Sequence, residues 1–153
     1  MTVKELNVLF REYGLTLGSV ESFTGGLFAK EITAVSGASK FYKGGYITYA
    51  TEEKVNLLKI PQEEVDRYGV VSKEIAYHMA NHARQLLNVD VCVSFTGNAG
   101  PEAMEGKPVG EVHMCVATQV SAQVYSLMLE GTREEIQKQA VEFIFKKLLE
   151  IKK

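Results

Sequence analysis

The chain has 153 residues, a hydrophobic fraction of 46% and a charged fraction of 24%, a balance that fits one globular domain and excludes disorder and coiled coil. At this length folding removes roughly two-thirds of the chain's surface from water. Seventeen basic and nineteen acidic residues leave a formal charge of -2, so no whole-molecule field draws the protein to nucleic acid or to an anionic membrane.

The charged, amphipathic start Met1-Thr2-Val3-Lys4-Glu5 does not read as a signal peptide, and no apolar run reaches the ~20 residues that cross a bilayer. Cys92 and Cys115 sit singly in apolar runs and read as buried free thiols. These features together predict a cytoplasmic location.

Leu6, Leu9, Phe10 and Tyr13 share a helical face that Gly14 ends, and 15–20 follows as a short strand. Residues 24–34 return to helix until Ser36-Gly37-Ala38-Ser39 breaks it. A second strand is predicted over 45–50, then a helix over 52–58. Pro61 opens a brief helix, in its favoured first position, and Gly69 closes it.

Ser72 is a candidate N-cap with only half of a capping box, since Ile75 stands where Glu or Gln belongs. The helix behind it aligns Ala76, Met79, Ala80, Ala83, Leu86 and Leu87. A buried strand follows over 90–95 and a polar loop over 96–108. Strands over 109–118 and 123–129 form a predicted antiparallel hairpin. The last helix aligns Ile136, Ala140, Phe143, Ile144, Leu148 and Ile151. Early strand–helix alternation with a late hairpin implies an α/β domain whose mixed, mostly parallel sheet of about five strands is covered on both faces.

In such sheets ligands collect at the carboxyl ends of the parallel strands. Three polar turns follow strands here: Glu21 to Gly26, Ala50 to Lys54 and Thr96 to Pro101. The first has two readings. Unpaired N–H groups at a helix start hold a phosphate or a developing oxyanion; alternatively Ser22 or Thr24 is a plain N-cap and the glycines serve packing. Lys54 is either a solvated helix residue or a base for Ser22, the latter only if its surroundings lower its pKa. His78 and His82 have the spacing of a zinc pair, but Met79 replaces the glutamate of HExxH and no third ligand is evident, so no metal is expected.

Taken in order, Glu21-Ser22-Phe23-Thr24-Gly25-Gly26, Gly37-Ala38-Ser39, Tyr49 with Lys54, Gly69-Val70-Val71-Ser72, Met79-Ala80, Thr96 to Pro101 and Lys107-Pro108-Val109-Gly110 resemble the motifs of the CinA C-terminal domain family over nearly the whole chain. The resemblance implies a single domain over 1–153 with a three-layer α/β/α fold. It also implies an amidohydrolase that converts nicotinamide mononucleotide to nicotinate mononucleotide and ammonia without a cofactor. It casts Ser22 as nucleophile, Lys54 as general base and Tyr49 as their support. Thr24, Gly25, Gly26, Gly37, Ser39, Thr96, Gly97 and Arg133 become nucleotide- and phosphate-binding residues. Self-association into a homo-oligomer is implied as well, and the extra N-terminal domain of larger members is not expected.

Phe23, Ala50, Asn98, Ala103-Met104 and Gln137 depart from the family pattern, where cysteine, serine, isoleucine, a glycine-richer run and arginine are usual. These departures keep two alternatives open: a non-catalytic nucleotide- or phosphate-binding module, and an amidohydrolase for another substrate.

Overall fold

A computed structural model describes residues 2–152. The chain opens with helix α1 (Thr2–Tyr13), strand β1 (Leu17–Glu21), helix α2 (Leu27–Thr33) and strand β2 (Tyr42–Ile47). Three helices follow, α3 (Thr51–Asn56), α4 (Gln62–Tyr68) and α5 (Lys73–Leu87). Strands β3 (Val91–Gly97), β4 (Glu111–Thr118) and β5 (Ala122–Met128) then lead to α6 (Arg133–Leu149).

The strands form one sheet in the order β2-β1-β3-β4-β5. β1 pairs with β2 and β3 in parallel, whereas β3–β4 and β4–β5 are antiparallel. Four strands therefore point one way and β4 alone runs against them, the mixed sheet that the pattern predicts.

Two apolar clusters flank the sheet and make three layers. On one face Val3, Leu6 and Phe10 of α1, Phe28 and Ile32 of α2, and Ile136, Ala140 and Ile144 of α6 pack on Leu17, Val93, Phe95 and Met114. On the other face Ile75, Met79 and Ala83 of α5 join Val65, Leu58 and Ile60 over Val20 and Cys92. Each such large side chain contributes roughly 1.5–3 kcal/mol by leaving water. Both cysteines are buried free thiols.

Several boundaries differ from expectation for local reasons. β2 starts at Tyr42, three residues early, and alternates half-buried with exposed residues as an edge strand does. Pro61 is the residue before α4 rather than its first. Ser72 does cap α5, its Oγ accepting the Ile75 N–H at 3.2 Å. Leu86 lies 49% exposed, off the buried stripe of α5. Thr132 and Glu135 form a complete capping box on α6 that the sequence reading did not identify. No helix among the described residues is long and apolar enough to cross a membrane.

Register positions the site. Glu21 at the end of β1 pairs with Ile47 on one side and Phe95 on the other, so the three polar turns leave the sheet at one edge. The chain goes from β1 to β2, then returns past β1 to β3. The β1 end is thus the switch point at which a crevice opens in an open α/β sheet.

Candidate active site

The turn after β1 is organised by Glu21, which is 1% exposed. Its Oε1 accepts the Thr24 hydroxyl at 2.7 Å and the N–H groups of Gly26 at 3.2 Å and Phe28 at 3.0 Å, and its Oε2 accepts Ala29 N–H at 3.1 Å. A carboxylate suits this position because it is acceptor-only and negative at a helix start. Gly25 (φ 61°) and Gly26 (φ 106°) are both left-handed, which glycine adopts without a Cβ penalty. The Glu-Ser-x-Thr-Gly-Gly spacing therefore encodes a turn tied to the Glu21 carboxylate, and α2 begins only at Leu27.

This arrangement corrects both readings of the turn. Neither Ser22 nor Thr24 caps α2; Gly26 occupies the N-cap position with no side-chain cap. Nor are the amides of residues 26, 28 and 29 open to a phosphate, because Glu21 holds them. Gly25 N–H is taken by the Ser22 carbonyl at 3.1 Å. The Phe23 and Thr24 amides have no acceptor among the described residues.

Ser22 lies 9% exposed, and Lys54 from α3 places its Nζ 3.2 Å from Ser22 Oγ. The same Nζ donates to the Thr48 carbonyl at 2.7 Å, which aims it along the end of β2. Lys54 is 1% exposed. Burial lowers its pKa to about 8, with Glu105 and then Glu52 opposing the shift. A neutral amine here keeps one N–H on Thr48 and turns its lone pair to the Ser22 hydroxyl.

Ser22 and Lys54 open on a cavity of about 340 Å³, whose walls include Phe23, Tyr49, Thr51, Thr96 to Met104 and Arg133. Phe23 is 3% exposed and belongs to the core cluster, so its bulk packs inward. Thr96 donates its hydroxyl to the Val70 carbonyl at 2.6 Å. Gly97 leaves room for β4, because a Cβ there would lie 2.7 Å from Val112 Cγ1. Asn98 serves its own loop: its Oδ1 accepts Gly100 N–H at 3.1 Å and its Nδ2 donates to the Lys107 carbonyl at 3.3 Å.

Tyr49 and Arg133 form the rim. Tyr49 is 62% exposed and reaches neither Ser22 nor Lys54; its hydroxyl instead accepts from Arg133 Nη2 at 2.8 Å. Arg133 also donates to the Gly100 carbonyl, tying α6 to the third turn. Thr24, Gly25 and Gly26 are not cavity walls. Gly37 and Ser39 line a separate depression with Thr33, Val35 and Tyr42.

The sequence reading missed the organising role of Glu21 and the contribution of Glu105. The Glu105 carboxylate accepts the Val70 and Val71 N–H groups at 3.0 and 3.1 Å, pinning the loop that walls the cavity. No cluster of three or more metal-ligating side chains occurs among the described residues.

Known proteins share this architecture. Residues 2–152 match the family model described as the CinA C-terminal domain. A Bacillus subtilis (strain 168) protein, provisionally named a competence-damage inducible protein, is 40% identical over 153 residues, covering 98% of this chain and 37% of its own length. A like-named protein of Limosilactobacillus fermentum is 43% identical over 140 residues, covering 90% and 34%. The chain thus spans little more than a third of the length of these curated relatives. Among solved structures, a CinA superfamily protein from Klebsiella pneumoniae superimposes with a TM-score of 0.95 at 27% identity, covering 97% of this chain and 94% of that one. A CinA superfamily protein from Escherichia coli gives a TM-score of 0.92 at 29% identity, covering 97% and 89%.

Proposed function

The chain belongs to the CinA C-terminal domain family, and on that premise we propose that it is a metal-independent amidohydrolase that deamidates nicotinamide mononucleotide. The observation that carries this reading is the Ser22–Lys54 pair at 3.2 Å, at the wall of a cavity and with a base whose pKa is lowered to about 8 by burial.

The chemistry follows from those atoms. Ser22 Oγ adds to the amide carbonyl carbon as Lys54 takes its proton, and the tetrahedral oxyanion draws on the unpaired N–H of Phe23, the cavity-wall residue directly after the nucleophile. Lys54 then gives the proton to the departing nitrogen, releasing ammonia and leaving an ester on Ser22. Water, deprotonated by Lys54, adds to that ester, and the proton returns to Ser22 as nicotinate mononucleotide leaves. Arg133 is the cation at the rim for the 5′-phosphate, whose binding supplies energy remote from the reacting carbonyl.

The test is ammonia release from nicotinamide mononucleotide by the unmodified protein, Ser22→Ala and Lys54→Ala. Release by the unmodified protein alone supports the reading. No release by any of them, with calorimetric binding retained, leaves a non-catalytic nucleotide-binding module. Release only from other amides leaves the chemistry and changes the substrate.

A further inference from the structure

The amides that remain free after Ser22 belong to a short stretch of backbone held from outside the turn. Gln137, half-buried on α6, donates its side-chain N–H to the Phe23 carbonyl at 2.8 Å. Gly25 N–H closes back on the Ser22 carbonyl, and Ser22 N–H is fixed on the Phe95 carbonyl at 2.9 Å. The Phe23 ring is sunk in the core. The Phe23–Thr24 peptide, which is trans, thus has one external hydrogen bond, the one from Gln137.

In a trans peptide the carbonyl and the N–H point in opposite directions. A donor that holds the Phe23 carbonyl towards α6 therefore turns the Thr24 N–H away from α6. Nothing else among the described residues accepts the Phe23 or Thr24 N–H. The N–H of the residue after a nucleophile is a usual oxyanion donor, and here that residue, Phe23, is fixed from both sides: Gly25 N–H holds the carbonyl of the Ser22–Phe23 peptide that carries the Phe23 N–H, and Gln137 holds the carbonyl of the next peptide.

We propose that Gln137 is a positioning residue that locks the Phe23–Thr24 peptide, and through it the backbone of the cavity wall Phe23, whose N–H is the oxyanion donor beside Ser22. The proposal rests on the reading of Ser22 as nucleophile. Gln137 touches no reacting atom; it holds a carbonyl that would otherwise lack a partner and be free to turn. Its signature is kinetic, a loss in the chemical step with substrate binding unchanged.

Two rates test this in Gln137→Leu, Gln137→Glu and Gln137→Arg. The first is steady-state ammonia release from nicotinamide mononucleotide, resolved into kcat and KM. The second is phosphonylation of Ser22 by an alkyl fluorophosphonate, read by mass spectrometry. In that step the Ser22 Oγ–P bond forms as the P–F bond breaks, fluoride leaves and Lys54 takes the hydroxyl proton, so the readout needs the donor but not the amide substrate. Gln137→Leu and Gln137→Glu are expected to lower kcat and the phosphonylation rate by about 10- to 100-fold, below the cost of deleting a donor outright. KM should not change, and Gln137→Arg, which restores an N–H donor, should recover both rates to within about threefold.

Unchanged phosphonylation in a folded Gln137→Leu protein overturns the proposal, as does failure of Gln137→Arg to recover activity. If Gln137→Leu does not fold, the Glu and Arg variants decide, since only one carries a donor. Phosphonylation that depends on Gln137 in a protein that leaves nicotinamide mononucleotide intact refutes the substrate and keeps the positioning role. Absence of any Ser22 labelling in the unmodified protein removes both.

Discussion

Among the described residues two serines are hydrogen-bonded to a basic side chain, and they sit in different settings. Ser22 faces Lys54 at the wall of a cavity, both buried, at the switch point of the sheet. Ser126, exposed on the edge strand β5, meets His113 Nδ1 at 2.7 Å, and His113 Nε2 meets Glu111 Oε2 at 2.8 Å. By residue type the second is nearer to a serine–histidine–acid triad. None of its three members, however, is a wall of the cavity around Ser22. Burial lowers the pKa of Lys54 and leaves Ser22 reachable only from the cavity, whereas Ser126 is exposed to bulk solvent. Enclosure and an adjacent unpaired amide, rather than residue types alone, set the Ser22 pair apart.

The largest expected effect breaks the comparison if it fails. Ser22→Ala and Lys54→Met should each reduce ammonia release by about 10³-fold or more, because nucleophile and base act as a unit. Ser126→Ala should leave the rate within about twofold. The reverse ranking would transfer the active site to β5.

Next in size is Glu21→Gln. Four donors converge on the Glu21 carboxylate, and an amide sets an NH₂ against at least one of them. Losing a charge-assisted bond and leaving a buried donor unmet should cost about 2–3 kcal/mol in urea unfolding. Glu111→Gln, at a partly exposed carboxylate with one side-chain partner, should cost less, about 1 kcal/mol.

The third effect is a displacement along the pH axis. Lys54 acts as a base only when neutral, so kcat should rise with pH through a midpoint near 8. Glu105 raises the Lys54 pKa, so Glu105→Gln should move that rising limb to lower pH. Stability carries the same sign. The folded-state pKa lies below the unfolded value near 10.5, so between these values the unfolded chain binds more protons and stability rises with pH. The gain is about 3 kcal/mol across that interval, and Lys54→Met should abolish it.

What the sequence disclosed can be traced to the same contrast. Strand–helix alternation was sufficient to bring 21–26, 50–54 and 96–101 to one edge, because parallel strands share their carboxyl ends. Gly37 and Ser39 were misplaced for the complementary reason: they precede β2 whereas Ser22 follows its parallel neighbour β1. The five residues of β1 separate the two ends by roughly 16 Å at about 3.3 Å per residue. The late start of α2 was hidden because a Glu-x-x-Thr-Gly-Gly run is compatible with a helix by composition, and only the left-handed glycines and the reach of Glu21 end that possibility. Lys54 was ambiguous because six residues of α3 show too little periodicity to mark an inner face. Tyr49 and Arg133 lie far apart in the chain, and no local pattern announces that they hold each other.

The smallest effect is the sharpest test of how isolated the second constellation is. His113 pairs across the β3–β4 ladder with Thr96, a wall of the cavity, so the two regions are one strand apart. Thr96, however, sends its hydroxyl to the Val70 carbonyl, not to His113. His113→Gln keeps a polar side chain of similar reach, and Ser126 and Glu111 can exchange their lost partner for water. His113 is itself only 9% exposed, so the expected cost is about 1 kcal/mol in urea unfolding, with kcat for ammonia release unchanged. A fall in kcat without loss of stability would mean that the β4–β5 row acts on the cavity through Thr96. The two serine sites would then be parts of one machine rather than a site and a surface.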